Sequence, residues 1–549
     1  MALLSLTCVI KLNRCAPVCR NPDLTWFAEM CAYALCCEWA ESMCTMGTYY
    51  VYTGSQCTCT QVQYVNKRRV YTAAWKITSM MPGWSKLAGL AGATPLLCCG
   101  LLYLLCQDQL LPVPETPPVP DIWWGEGERE AGDDRIVKFQ VSVPAETIID
   151  LESRIRSDLD RLSPPLEGSK FEYGFNTEFL REIAEYWLEE FNWSSQETLL
   201  NSFPQFMTTI DGLEVHFLHV KPQETKGRKI VPLLLVHGWP GSVVEFLDII
   251  PLLTAGNDDI AFEIIAPSIP GYGFSSAPTK PGFNLQQAAK VFHKLMGRLG
   301  HKQFYCQGGD WGSLITANLA TLFPENVLGL HVNMGGVISP GGTLKNLLVL
   351  IPGMKYLLVD QEDMEKVSNL GTNFLRLIRE TGYLHLQATK PDTLGVGLNS
   401  SPLGLAAYIL EKFSTWTSPG WTGDECGGLG TGHPIDRDRM LANIMIYWVT
   451  GSITSSMRFY KENFPLNHDI SRIPLQMPAG FADFPEELYR APRFLLLGKF
   501  PNLIQYTRMP RGGHFAAMEV PDLLAFDIIS FVLEVEKKLK LHKEVKQDL

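Results

Sequence analysis

Gly308-Gly309-Asp310-Trp311-Gly312 sets a carboxylate between glycines, where an apolar run, Lys302 to Cys306, meets the helical pattern Ser313 to Phe323. In the pattern G-x-S-x-G a strand turns sharply into a helix and exposes the central residue as a nucleophile above a sheet; here Asp holds the serine position. A carboxyl group with a reference pKa of about 3.9 is ionised near neutral pH, so it needs no base to activate it. It suits attack on saturated carbon, leaving an ester that water must cleave. Read alone, the stretch also describes an Asp capping a helix after a glycine turn, so other motifs must decide.

Upstream, Lys229 to Val236 (KIVPLLLV) reads as a buried strand running into His237-Gly238-Trp239-Pro240-Gly241. This is where a backbone N–H could stabilise an oxyanion together with the N–H that follows the nucleophile, making Trp239 and Trp311 the expected donors. Pro240 raises the option of a cis peptide bond in that turn. The loop Pro270-Gly271-Tyr272-Gly273-Phe274-Ser275 follows the apolar run Ile260 to Ile265 as a strand-to-helix crossover. Downstream, Arg511-Gly512-Gly513-His514-Phe515 lies between the strand pattern Leu503 to Met509 and a C-terminal helix, the place for a catalytic histidine. The acid lies in Phe484-Pro485-Glu486-Glu487-Leu488, ahead of Arg493 to Leu497, which reads as a strand. Neighbouring side chains point in different directions, so only one of Glu486 and Glu487 can face His514; Asp483 is a third candidate. The order nucleophile, acid, histidine is that of α/β-hydrolases.

Six separated motifs extend this reading: HGWPGS (237–242), GGDWGS (308–313), TKPDT (389–393), SPLGLAAYILEKFSTW (401–416), RFYKEN (458–463) and RGGHFAA (511–517). With them the chain, from roughly residue 96 to 541, resembles the microsomal epoxide hydrolases of the α/β-hydrolase superfamily. The resemblance implies Asp310 as nucleophile, Glu487 as acid and His514 as base, with Tyr383 and Tyr460 matching the family's two epoxide-binding tyrosines. In that chemistry Asp310 attacks a ring carbon while protonated phenols donate to the departing oxygen. His514, oriented by Glu487, then activates the water that cleaves the ester. The product is a vicinal diol, and no metal or cofactor is called for. The rival enzyme reading is a haloalkane dehalogenase, which would displace halide with the same Asp and His but needs N–H donors rather than proton donors. A non-enzymatic rival is a membrane-tethered binding protein with a silent site.

The expected fold class is α/β: a hydrolase core in two parts, 208–335 and 478–549, split by a helical cap at 336–477. That insertion is too long for an ordinary connection and carries helical patterns at Leu405 to Phe413 and Met440 to Val449. It should close an apolar, aromatic pocket that favours lipophilic epoxides. Residues 107–207 form a linker and an amino-terminal extension, with Phe179, Ile183, Trp187 and Phe191 at helical spacing to brace core and cap.

A 549-residue chain that is 46% hydrophobic can bury more than one core, and a net charge of −11 without a phosphate loop, zinc spacing or repeat argues against nucleic-acid binding. Nine of the fourteen cysteines fall between Cys8 and Cys59, an odd number in spacings that match no zinc template; they make 1–86 a Cys-rich amino-terminal segment, of which the residues before Met80 or Met81 read as an alternative first exon or gene-model extension. Leu87 to Cys106 holds twenty uncharged residues, long enough to span a bilayer, and Pro112 to Pro120 follows as a spacer. The expected location is the endoplasmic reticulum membrane with a single pass. Lys67, Arg68, Arg69, Lys76 and Lys86 precede the anchor and would place the catalytic part in the lumen by the positive-inside rule, whereas the resemblance implies the cytosolic face. A start at Met81 would remove most of that charge.

Overall fold

The computed structural model describes residues 50–53, 56–59, 113–129, 133–225, 227–335, 348–349, 353–368, 370–464 and 468–547. The expected span Leu87 to Cys106 lies outside them; among the described residues no helix is long and apolar enough to cross a membrane. The chain divides into two units, 1–98 and 99–549. Of the first, an antiparallel hairpin is described, Tyr50–Thr53 with Gln56–Cys59.

The second unit is built on a nine-stranded sheet: β1 (Val137–Phe139), β2 (Gln205–Ile210), β3 (Leu213–Val220), β4 (Lys229–Val236), β5 (Ile260–Pro267), β6 (Phe304–Gly308), β7 (Val327–Val332), β8 (Ala479–Asp483) and β9 (Leu503–Arg508). Their spatial order is β9-β8-β7-β6-β4-β5-β3-β2-β1. The six strands from β9 to β5 run parallel, and β3, β2 and β1 continue the sheet antiparallel. Central parallel strands are covered on both faces, which is why β4 and β5 read as continuous apolar runs rather than alternating ones. Pro232, an unusual residue for a central strand, sits where β4 pairs only with β5, since pairing with β6 begins at Leu233.

Helices α1 (Ala145–Leu159), α2 (Thr177–Glu189) and α3 (Trp193–Asn201) precede β2, α4 (Ile249–Ala255) precedes β5, α5 (Leu285–Arg298) precedes β6, and α6 (Asp310–Leu322) follows it. Between β7 and β8 come α7 (Leu370–Glu380), α8 (Gly382–Thr389), α9 (Pro391–Leu398), α10 (Pro402–Thr415), α11 (Arg437–Thr450) and α12 (Ile453–Asn463), and after β8 α13 (Arg493–Lys499) and α14 (Pro521–Gln547). The expected stripe on α2 buries Phe179, Ile183 and Trp187, while Phe191 lies past its end. Ser401 Oγ donates to Asp158 Oδ2 at 2.7 Å and Tyr186 Oη to Asp438 Oδ1 at 2.8 Å, tying the amino-terminal helices to α10 and α11.

Three expectations shift. The strand expected at Lys302 to Cys306 runs from Phe304 to Gly308, and the helix expected from Ser313 begins at Asp310, because the turn is tighter than the apolar pattern indicates. Arg493 to Leu497, read as a strand, is the start of α13. A short apolar run carries no decisive period; burial of Leu495, Leu496 and Lys499 makes a helical stripe behind Pro492. The strand ahead of the acid is therefore β8.

Candidate active site

Gly308 ends β6, Gly309 caps α6, and Asp310 is the first helical residue with φ +43°. A side chain other than glycine in that region is strained at a cost of about 1 to 3 kcal/mol, and such outliers cluster at functional sites. A Cβ on Gly312 would stand 1.9 Å from the Val236 carbonyl oxygen, so only glycine lets the turn lie against the end of β4. The same strand end delivers Trp239, whose N–H donates to Asp310 Oδ1 at 2.8 Å; the peptide that follows, Trp239–Pro240, is cis. The Trp311 N–H also donates to the Asp310 carboxylate. Both expected donors thus converge on one carboxylate, which is not the cap of its own helix.

His514 stands in the loop after β9, its Nδ1 2.6 Å from Glu487 Oε1 and its Nε2 3.6 Å from Asp310 Oδ2. Glu487 Oε1 also accepts the Leu488 N–H at 2.7 Å. Glu486 contributes its backbone N–H to Gly512 O instead, and Asp483 is held by Lys366 at 2.6 Å and by Arg490. Of the three acids, Glu487 is thus the one on the imidazole. Burial by itself would lower the His514 pKa, but the Glu487 and Asp310 charges outweigh it and raise it to about 9. Burial raises Asp310 above the ordinary carboxylate range, opposed by the His514 charge and the two N–H donors. His237, beside the turn, is pushed down to about 4 by burial; its Nε2 accepts the Ile269 N–H at 3.1 Å, so it is a neutral packing residue.

Tyr383 on α8 and Tyr460 on α12 are buried with ring centroids 5.8 Å apart. Tyr383 stacks on Trp239 at 5.1 Å with planes 7° apart, and Tyr460 packs edge-on to Trp311 at 4.7 Å. Burial first, and then neighbouring groups including Asp310, hold both phenols well above their usual pKa, so both remain proton donors. The Tyr460 hydroxyl, cut off from solvent, makes no hydrogen bond of good geometry. Its nearest polar interaction is with the Tyr383 hydroxyl, so the two phenols face one another. Trp416, from the motif at 401–416, was given no role in the sequence; its ring lies edge-on to His514 at 4.8 Å and its carbonyl accepts the His514 N–H at 3.2 Å.

One group of potential metal ligands occurs among the described residues, His219, Glu263 and His301. Glu263 already accepts from His219 at 2.6 Å and pairs with Lys221 at 3.2 Å, and that lysine opposes a cation there.

Asp310, Glu487 and His514 gather at the ends of these parallel strands, the place where enzymes of the α/β-hydrolase fold carry their reacting groups. Residues 136–246 match the epoxide hydrolase N terminus family and residues 231–358 the alpha/beta hydrolase fold family. Epoxide hydrolase 1 of Oryctolagus cuniculus is 50% identical over 437 residues, 77% of this chain and 95% of that protein. The crystal structure of juvenile hormone epoxide hydrolase from Bombyx mori superposes with a TM-score of 0.73 at 43% identity, covering 76% of this chain and 99% of the other. The Aspergillus niger epoxide hydrolase superposes at 0.60 with 31% identity, covering 73% and 97%. The chain belongs to the epoxide hydrolase family.

Proposed function

We propose that this epoxide hydrolase converts lipophilic epoxides to vicinal diols through an ester on Asp310, with Tyr383 and Tyr460 as proton donors to the ring oxygen, Glu487 and His514 as the acid and base, and residues 336–477 as the cap. The observation that carries the reading is the pair of buried, protonated cap phenols set around the Trp239 and Trp311 that ring Asp310. An alkoxide leaving group takes a proton from such phenols, whereas a halide needs none. The Asp310 oxygen on the His514 side, Oδ2, attacks a ring carbon, the carbon–oxygen bond of the epoxide breaks, and a phenol proton satisfies the new hydroxyl. Ester formation removes the Asp310 charge, one of the charges that hold His514 protonated. The imidazole pKa then falls, its proton passes to the phenolate that the first step leaves behind, and His514 becomes a base for water only after that step. Water attacks Cγ of Asp310, its proton passes to His514, and the tetrahedral oxyanion sits on the Trp239 and Trp311 N–H groups. One such donor is worth about 3 to 4 kcal/mol. Collapse breaks the acyl bond, the departing alkoxide takes the proton from His514, and the acid proton left on the Asp310 carboxyl passes to the imidazole, restoring the resting charges.

The aromatic walls of Trp239, Trp416, Tyr383 and Tyr460 favour apolar substrates. Relatives of this chain are named for juvenile hormone as well as more generally, and xenobiotic and lipid epoxides both suit such a pocket.

The test is single-turnover mass spectrometry on a graded series. His514→Gln should form the ester at close to the wild-type rate and then stall, because the lost base serves only the second step. Glu487→Gln should slow ester cleavage by more than a hundredfold, since the imidazolium loses its partner, while Glu486→Gln should stay within about threefold. Absence of an ester in His514→Gln, with substrate still bound, would refute the roles given; a larger loss at Glu486 would reassign the acid.

Leu87 to Cys106 is read as an anchor holding the enzyme on the endoplasmic reticulum membrane, supported by its twenty uncharged residues. Deleting residues 87–106 should release most of the activity into the soluble fraction after carbonate extraction; retention in the pellet would count against the anchor.

A further inference from the structure

Glu245 lies on the 3-10 turn Val243–Phe246 that follows Trp239, eight residues after His237, and the mechanism above gives it no role. Its three neighbours on that turn are buried in the core; Glu245 lines an internal cavity instead. About 20 Å³ of that cavity is accessible to the centre of a water molecule, and Asp310, His514, Trp239, Gln307 and Asn333 also line it. One water needs roughly 10 to 15 Å³ so measured, together with polar partners. The cavity therefore has room for about one water, and both the base and the carboxylate that carries the ester line it.

The fold makes room for this carboxyl group. A Cβ on Gly241 would fall 1.4 Å from Glu245 Oε1, so the glycine of the HGWPGS turn is what admits it. The Gly238 N–H is hydrogen-bonded to the Glu245 carboxyl, which has no side-chain partner among the described residues, and burial, with the Asp310 charge adding to it against the pull of His514 and the Gly238 N–H, raises its pKa to about 8. One backbone N–H leaves the remaining hydrogen-bonding capacity of a carboxyl group open to a further contact in the cavity.

We infer that Glu245 is a positioning residue for ester cleavage: its carboxyl oxygen accepts one hydrogen of the cavity water while His514 Nε2 accepts the other, leaving a lone pair aimed at Cγ of Asp310. The inference rests on the ester mechanism proposed above. Water attack needs this division of its two hydrogens, because a water tethered only by His514 rotates freely about one hydrogen bond. In the resting enzyme Glu245 is largely uncharged at neutral pH, so a neutral amide, which keeps a carbonyl acceptor, can substitute for it.

The experiment compares Glu245→Leu, Glu245→Ala and Glu245→Gln in single-turnover mixing, with His514→Gln run alongside. In Glu245→Leu the ester on Asp310 should form at the wild-type rate but decay about a hundredfold more slowly, the scale expected when a reactant is misplaced by an ångström. kcat and KM should fall together, leaving kcat/KM unchanged. Glu245→Ala should behave alike, providing a second reading if the leucine variant folds poorly. Glu245→Gln should recover most of the decay rate. Loss of ester formation and kcat/KM in both truncations would mean that Glu245 only supports the fold, and wild-type decay in them would remove it from the reaction. If His514→Gln accumulates ester but the Glu245 variants do not, the Glu245 role alone fails. Should no ester appear in His514→Gln either, the ester mechanism itself has failed.

Discussion

Asp310→Ala should abolish diol formation, with a fall of about 10⁴-fold or more in kcat. No described side chain other than Asp310 joins a carboxylate to the Trp239 and Trp311 N–H donors and the His514 imidazole. The backbone complicates the test, since alanine at φ +43° keeps the strain of that turn. Asp310→Gly relieves it and should be equally inactive while melting no lower than Asp310→Ala. Intact-mass measurement after mixing with excess epoxide should show no adduct on either variant. Diol production above about 1% of the wild-type rate by both would mean that another group attacks the ring.

The second large effect belongs to the cap. On the proposed mechanism, Tyr383→Phe and Tyr460→Phe each delete one donor to the developing alkoxide, and both leave the aromatic packing on Trp239 and Trp311 in place. Positioned proton donation is worth about a hundred- to ten-thousand-fold, so each single variant should form the ester that much more slowly. The two donors share one oxygen, so their effects should not simply multiply, yet the double variant should be close to inactive. The cleavage machinery of His514, Glu487 and the two N–H donors is untouched, and no ester should accumulate even on long incubation. Rapid mixing resolves the two steps. Wild-type ester formation in the double variant would make the tyrosines packing residues and move the halide-displacing alternative ahead.

Motif spacing carried the reaction type further than periodicity carried the fold. GGDWG, HGWPG and RGGHF mark strand ends and tight turns that depend on local backbone chemistry, so they are legible along the chain. β4 reads correctly from Lys229 to Val236 because a strand buried on both faces is one unbroken apolar run. The run Arg493 to Leu497 has the same appearance over five residues, yet it lies behind Pro492 and packs as a helix. Local composition contains no statement of which neighbour will cover it.

Adjacent acids show the same division more sharply. Residue types alone leave Glu486, Glu487 and Asp483 open, because all three follow or end one strand and carry the same group. The tertiary structure separates them through distant partners: Lys366, from the segment between β7 and β8, takes Asp483, the Gly512 carbonyl takes the Glu486 backbone N–H, and His514 takes Glu487 at 2.6 Å. Glu245 was equally visible as a letter and equally silent, since its meaning depends on a water-sized cavity bounded by three strand ends and the histidine loop. By itself the sequence determined the reaction class and singled out Asp310 and His514 for the roles proposed, because their turns are built from neighbouring residues. Which acid meets the histidine, how Tyr383 and Tyr460 come together from helices 77 positions apart in the chain, and where a water can stand were decided only by tertiary packing, since those relations join residues that share no local signal.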